Sequence, residues 1–310
     1  MGAAIAKIAF MPPPQEHSAK YLATKCQGSV QFLKSSEGDQ IAFMHFTPNK
    51  QSSAFAFSTS SGGNSRASLS ENSKYTLLYC HGNAEDLAHS HNAYQDLATK
   101  MGCAVYAFDY PGYSASSGTP SESGAIAAGE VVLAHLLNTV GISRDRLIIV
   151  GRSLGSGIAT ELASRHRGLG GLILISPLKS CAAVAGKFAY YTLYGFDLFP
   201  NIRRITNVVD YPILVFAGDR DQVVPYDHSV ELAKEAGKVN KQTTFVRLQD
   251  AGHNDIEIVR GRDFFNAFRE FISSSAEKRD LLLQGKKGQD DEDGSGAGCF
   301  SSSSSSSVKK

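Results

Sequence analysis

Arg146-Leu147-Ile148-Ile149-Val150-Gly151-Arg152-Ser153-Leu154-Gly155-Ser156-Gly157 is the stretch on which the reading of this chain turns. Leu147 to Val150 is apolar without interruption, as a strand buried on both faces of a parallel sheet must be. The run stops at Gly-x-Ser-x-Gly, and Ile158 to His166 then reads as a helix. A strand, a tight turn and a helix form the setting in which this motif exposes a serine. In so tight a turn, Cβ atoms at 151 and 155 would collide with neighbouring backbone. The turn lifts Ser153 to the top of the sheet, and the following helix aims its N–H groups at any anion that develops there. Alone the motif is weak, because a Gly-rich strand-to-helix turn is common. Its surroundings have to carry the rest.

Upstream, Tyr75 to Cys80 and Ala104 to Phe108 read as strands, with helices from about Ala84 to Lys100 and Ser123 to Val140. Downstream, Leu172 to Ile175, Ile213 to Phe216 and Thr243 to Leu248 are strands, and Asp263 to Ile272 is a closing helix. Strands alternating with helices predict an α/β fold, a mostly parallel central sheet covered by helices on both faces. Val30 to Lys34 and Ile41 to Phe46 flank Ser36-Glu37-Gly38-Asp39, which reads as a hairpin. Residues 1–20 form an N-terminal helix followed by Pro12-Pro13-Pro14, and 21–275 the main domain. Residues 51–73, rich in Ser, Gly and Asn, read as a surface insertion. Residues 276–310 carry Asp290-Asp291-Glu292-Asp293 and Ser301 to Ser307, which cannot build a core and read as a disordered tail.

Composition narrows the function classes. The 310 residues are 42% hydrophobic with a formal net charge of +1, which gives no argument for a nucleic-acid partner. No apolar run approaches the roughly 20 residues of a membrane-spanning helix, and the N-terminus lacks a secretory apolar region. A cytoplasmic chain is expected. The five cysteines, Cys26, Cys80, Cys103, Cys181 and Cys299, are scattered without a C-x-x-C pair, so reduced thiols fit better than disulfides or zinc. Neither a phosphate loop nor a dinucleotide fingerprint occurs, and no metal or cofactor is expected.

A serine hydroxyl is a poor nucleophile until a base takes its proton. Of the nine histidines, His253 stands in Ala251-Gly252-His253-Asn254-Asp255, on the loop after the last strand, where Gly252 lets the loop bend toward the serine. His89 and His91 lie two apart on a helix and face different sides. The base needs an orienting carboxylate. Ile213 to Phe216 leads into Gly218-Asp219-Arg220-Asp221-Gln222-Val223-Val224-Pro225. Asp221 is the choice, past the turn and facing back; Asp219 is the runner-up, otherwise a turn cap, and Asp227 is expected to cap the next helix. The tetrahedral anion needs N–H donors. These are the backbone N–H of Leu154 and, from His81-Gly82-Asn83-Ala84 after the first parallel strand, that of Asn83. The loop at Asp109-Tyr110-Pro111-Gly112-Tyr113 reads as structural.

The residues quoted so far resemble a known family. Tyr75 to Leu87 with His-Gly-Asn-Ala-Glu-Asp, Asp109 to Glu122 with Asp-Tyr-Pro-Gly-Tyr, Gly151-Arg152-Ser153-Leu154-Gly155 and Ala251 to Glu257 together look like the α/β-hydrolase domain-containing 17 group of bem46-like hydrolases. The resemblance spans about residues 5 to 272, the insertion excepted. It implies the α/β-hydrolase fold, with Ser153 as nucleophile, Asp221 as acid and His253 as base. It also implies removal of palmitate from cysteine thioesters on membrane-attached proteins. Group members usually carry an N-terminal cysteine cluster that is itself acylated; here only Cys26 lies in that region.

Between the strands at 172 and 213, where such folds carry a lid, runs an aromatic stripe. Phe188, Tyr191, Tyr194 and Phe196 are the candidates to line an acyl groove, with packing into the core as the other reading. Three functions share these residues: an acyl-protein thioesterase, a carboxylesterase or lipase on small or glyceride esters, and a binding protein that keeps the fold. The expected partner is an S-acylated protein or acyl ester. Ile5, Ile8 and Ala9 on one helical face offer a peripheral membrane contact at the cytosolic side. Gly2 stands where myristoylation requires it, although Ala6 replaces the usual Ser or Thr.

Overall fold

The computed structural model describes residues 9–26, 29–49, 75–186 and 197–275. The strands are β1 (Gln31–Lys34), β2 (Gln40–Phe46), β3 (Thr76–Cys80), β4 (Ala104–Phe108), β5 (Leu147–Arg152), β6 (Gly171–Ile175), β7 (Ile213–Gly218) and β8 (Thr243–Leu248). They form one eight-stranded sheet in the order β1-β2-β4-β3-β5-β6-β7-β8. The β1–β2 hairpin joins the edge antiparallel to β4, and all later pairs are parallel. The mostly parallel sheet and its uninterrupted apolar strands match the expectation from the sequence.

Side-chain alternation divides the interior into two cores. Leu78, Ile149, Leu174 and Val215 face one side, where the helices α3 (Glu122–Asn138), α4 (Gly155–Arg165) and α5 (Tyr226–Val239) bring Leu133, Ile158, Leu162 and Leu232. Leu77, Ile148, Ile173 and Phe216 face the other, against α2 (Leu87–Met101) and a helix over 261–275 that supplies Phe264 and Phe268. Nearly all of these side chains are fully buried. Successive residues of a strand point to opposite faces, so an apolar run without alternation has to be covered twice.

A helix, α1, spans Gln15–Lys25 and runs across position 20, so within the described residues 9–26 no break falls there. It packs on α2: buried Ser18 donates to the Asp86 carboxylate at 2.5 Å, and Leu22 and Cys26 enter the second core. Cys26 is a buried thiol, one of four free cysteines among the described residues. Acylation there would require the end of α1 to move. The N-terminal helix at 1–8, the insertion at 51–73 and the tail at 276–310 lie outside the described residues. Among the described residues no helix is long and apolar enough to cross a membrane.

Candidate active site

The C-terminal end of β5 delivers Ser153 in a left-handed backbone conformation, φ 50°. That conformation costs a non-glycine residue about 1–3 kcal/mol and persists only where the surroundings enforce it. Here the Ser153 N–H is held by the Ile175 carbonyl of β6 at 2.9 Å, and its carbonyl accepts Ser156 Oγ at 2.6 Å. The motif glycines are required by close approach. A Cβ at Gly155 would fall on the carbonyl oxygens of Cys80 and His81, and one at Gly151 on Ala159 and the Gly155 carbonyl. The helix α4 starts at Gly155, straight after the turn.

The three side chains singled out from the sequence meet here. Ser153 Oγ lies 2.9 Å from His253 Nε2, and His253 Nδ1 lies 2.6 Å from Asp221 Oδ2. A carboxylate can only accept, so Nδ1 carries the proton and Nε2 is left to accept from the serine hydroxyl. The imidazole and the carboxyl are almost wholly buried, 7% and 3% exposed. The other carboxyl oxygen of Asp221 accepts the N–H groups of Val223 and Val224, both at 2.8 Å. Those bonds fix the carboxylate before it orients the base.

Asp219, the runner-up, points elsewhere. It pairs with Arg247 at 2.6 Å and accepts the Asp250 N–H, tying the end of β7 to that of β8. The Arg247 guanidinium holds its carboxyl below the usual range. Asp227 is not the cap of α5. Pro225 is the N-cap and Asp227 lies in the first turn, where its charge suits the helix dipole. Gly252 has room for a side chain and no positive φ, so it is not the hinge expected of it. The glycine demanded by close approach is Gly218, where a Cβ would strike the carbonyls of Ala251 and Gly252.

The loop after β3 begins against the motif turn, where the Cys80 and His81 carbonyls crowd Gly155. Gly82 N–H is occupied by Glu85 Oε2 at 3.1 Å. The N–H groups of Asn83 and Leu154 find no acceptor among the described residues, which suits them to a developing oxyanion. The Asn83 side chain, overlooked in the sequence, is a clasp. Its Oδ1 accepts Met11 N–H at 2.8 Å and the Tyr113 hydroxyl at 2.9 Å, and its amide donates to the Ala9 carbonyl at 2.8 Å. Phe10 is thereby seated edge-on against Tyr113 and Phe199. Beneath the loop, buried Asp109 accepts the Leu87 N–H at 2.9 Å, and burial pushes its carboxyl well above the usual range. Burial likewise lowers the His81 imidazole.

Phe188, Tyr191, Tyr194 and Phe196 lie outside the described residues. The stripe ends in Phe199, which belongs to the core: its ring fills the space where a Cβ at Gly157 would stand, and its N–H donates to Glu122 at 2.9 Å.

Beside the acid, buried His228 accepts the Lys179 N–H. Burial, then the Lys179 ammonium, push its pKa from 6.5 down to about 4. The unfolded chain therefore binds the proton first, and the contribution is complete above 6.5 and lost as pH falls toward 4. The Tm of the protein should drop across that window, and a His228→Asn variant should drop less. A Tm difference between the two that does not change with pH would show that His228 is not the group responsible.

Sheet order, elbow and converging side chains define an α/β hydrolase. A family model described as alpha/beta hydrolase fold matches residues 75–190. Human alpha/beta hydrolase domain-containing protein 17B is 32% identical over 276 residues, 88% of this chain and 91% of that one. The mouse 17C protein is 35% identical over 201 residues, 65% of this chain and 60% of that one. An esterase of Pyrococcus furiosus superposes with a TM-score of 0.60 at 16% identity, covering 86% of this chain and 98% of the esterase. The chain belongs to the alpha/beta hydrolase domain-containing 17 family.

Proposed function

We propose that the protein is a serine hydrolase that cleaves acyl thioesters, releasing palmitoyl chains from cysteines of proteins at the cytosolic face of a membrane. The observation that carries the chemistry is the continuous path Ser153–His253–Asp221, 2.9 and 2.6 Å, behind a serine held at φ 50°. The family resemblance supports the choice of substrate. Ser153 Oγ attacks the thioester carbonyl while His253 Nε2 takes its proton. The N–H groups of Asn83 and Leu154 hold the tetrahedral oxyanion. As the anion collapses the C–S bond breaks, and the imidazolium returns the proton to the departing sulfur. Water, deprotonated by the same imidazole, then hydrolyses the acyl-serine to fatty acid and free enzyme. Asp221 keeps the imidazole in the right tautomer and stabilises its charged form.

The test is release of palmitate from an S-palmitoylated peptide, with Ser153→Ala as control. Release no faster than the control rejects thioesterase activity. An ester chain-length series separates the remaining readings. If a chain lies in an apolar groove, each methylene contributes about 0.8 kcal/mol, so shortening it by two carbons lowers kcat/KM roughly tenfold. A sharp optimum at short acyl groups instead identifies a carboxylesterase.

A further inference from the structure

Arg152 is the first of the two unspecified residues inside Gly-x-Ser-x-Gly, and its side chain reaches the loops of the base and of the oxyanion donors. Its side chain is 11% exposed. It donates to Glu257 Oε1 at 2.6 Å and to the backbone carbonyl of His253 at 3.2 Å. On its other flank it lies 3.6 Å from Glu85 Oε1 and contacts the buried Tyr79. Glu85 in turn holds Gly82 N–H, the residue next to Asn83. One cation therefore touches the strand of the nucleophile, the loop of the base and, through Glu85, the loop of the oxyanion donors.

The charges make the same point. Glu85 belongs to the loop of the oxyanion donors and Glu257 follows the loop of the base, and two uncompensated carboxylates there would oppose a developing negative oxygen. An arginine can serve both at once because its planar fork carries five donors and stays charged. We infer that Arg152 is a positioning residue for the hydrolysis, holding the base loop and the oxyanion loop in register with Ser153 and cancelling the carboxylates beside them. The inference rests on the serine-hydrolase reading and is independent of whether the substrate is a thioester or an ester.

The charged groups set around the His253 loop are Asp221, bonded to the imidazole, Arg152, bonded to the His253 carbonyl, Glu257 and Glu85, both paired with Arg152, and Asp255, which accepts the Gly252 N–H. Removing the cation leaves all the acids, and uncompensated negative charge beside a base favours its charged form. Arg152→Met should therefore lower kcat/KM for a p-nitrophenyl ester roughly a hundredfold, as a loosened catalytic geometry does, chiefly through kcat. It should also move the acid limb of the pH profile upward. Arg152→Lys keeps the charge without the fork; it should lose rate but leave the acid limb in place. Adding Glu257→Gln to Arg152→Met should bring the limb part of the way back. A purely structural role predicts lost activity and lower Tm with an unmoved limb in every variant, and that result overturns the inference. If Arg152→Met does not fold, Arg152→Lys and Glu257→Gln alone decide it; wild-type rates in both overturn it. A fluorophosphonate probe separates the two levels of claim. Failure to label the wild type removes the serine-hydrolase reading, whereas labelling of wild type and Arg152→Met at equal rates removes only the role of Arg152.

Discussion

Replacing Ser153 with alanine lowers kcat by roughly 10⁶-fold and leaves the fold intact. Only Oγ is lost. The bonds that hold the turn through the Ser153 main chain, its N–H to the Ile175 carbonyl and its carbonyl accepting Ser156 Oγ, do not involve it. Nor does the φ of 50° depend on the hydroxyl, since serine and alanine both carry a Cβ and meet the same steric cost. The thermal midpoint of the variant should therefore lie close to that of the wild type, and the fluorophosphonate signal should vanish. Turnover within tenfold of the wild type on any ester would show that another residue is the nucleophile.

Asp221→Asn is expected to lower kcat by roughly 10⁴-fold, the loss seen when the orienting carboxylate of such a triad becomes an amide. The geometry can survive, because an amide oxygen can still accept the Val223 and Val224 N–H groups. The amide nitrogen then faces His253 Nδ1, where an oxygen accepted at 2.6 Å. A donor in that place turns the imidazole to the other tautomer, with the proton on Nε2, where it can no longer receive one from Ser153. Asp219→Asn is the companion measurement. Its carboxyl serves Arg247 and the Asp250 N–H, so activity should stay within a few-fold of the wild type. Steady-state kinetics on both variants decide the matter, and the reverse order of effects would transfer the acid to Asp219.

The central sheet was legible because each parallel strand from β3 to β7 is an apolar run with no polar break, a pattern few other settings require. The three converging side chains were legible because each follows a strand end at a recognisable glycine-containing turn. The helix after the prolines was not legible. Gln15–Lys25 has little apolar periodicity; among its described side chains, Ser18 and Leu22 reach the interior. Packing on α2 makes it a helix, and a pattern confined to its own residues could not reveal that. The demand on Gly218, and the lack of one on Gly252, stay hidden for a similar reason, because close approach of two loops is invisible along one of them. The contacts of Arg152 lie beyond any local signal: Glu257 is 105 residues away. Arginine inside the motif had no meaning until the loops were brought together.

The Asn83 clasp bears on how the protein is handled. One amide side chain both belongs to the loop that frames the nucleophile and grips the main chain at Ala9 and Met11. An affinity tag or fluorescent fusion ahead of residue 9 joins the chain close to that grip, so turnover should be compared with the tag on and with it removed. Attachment behind residue 275 leaves the grip untouched, so the far end of the chain is where a handle belongs.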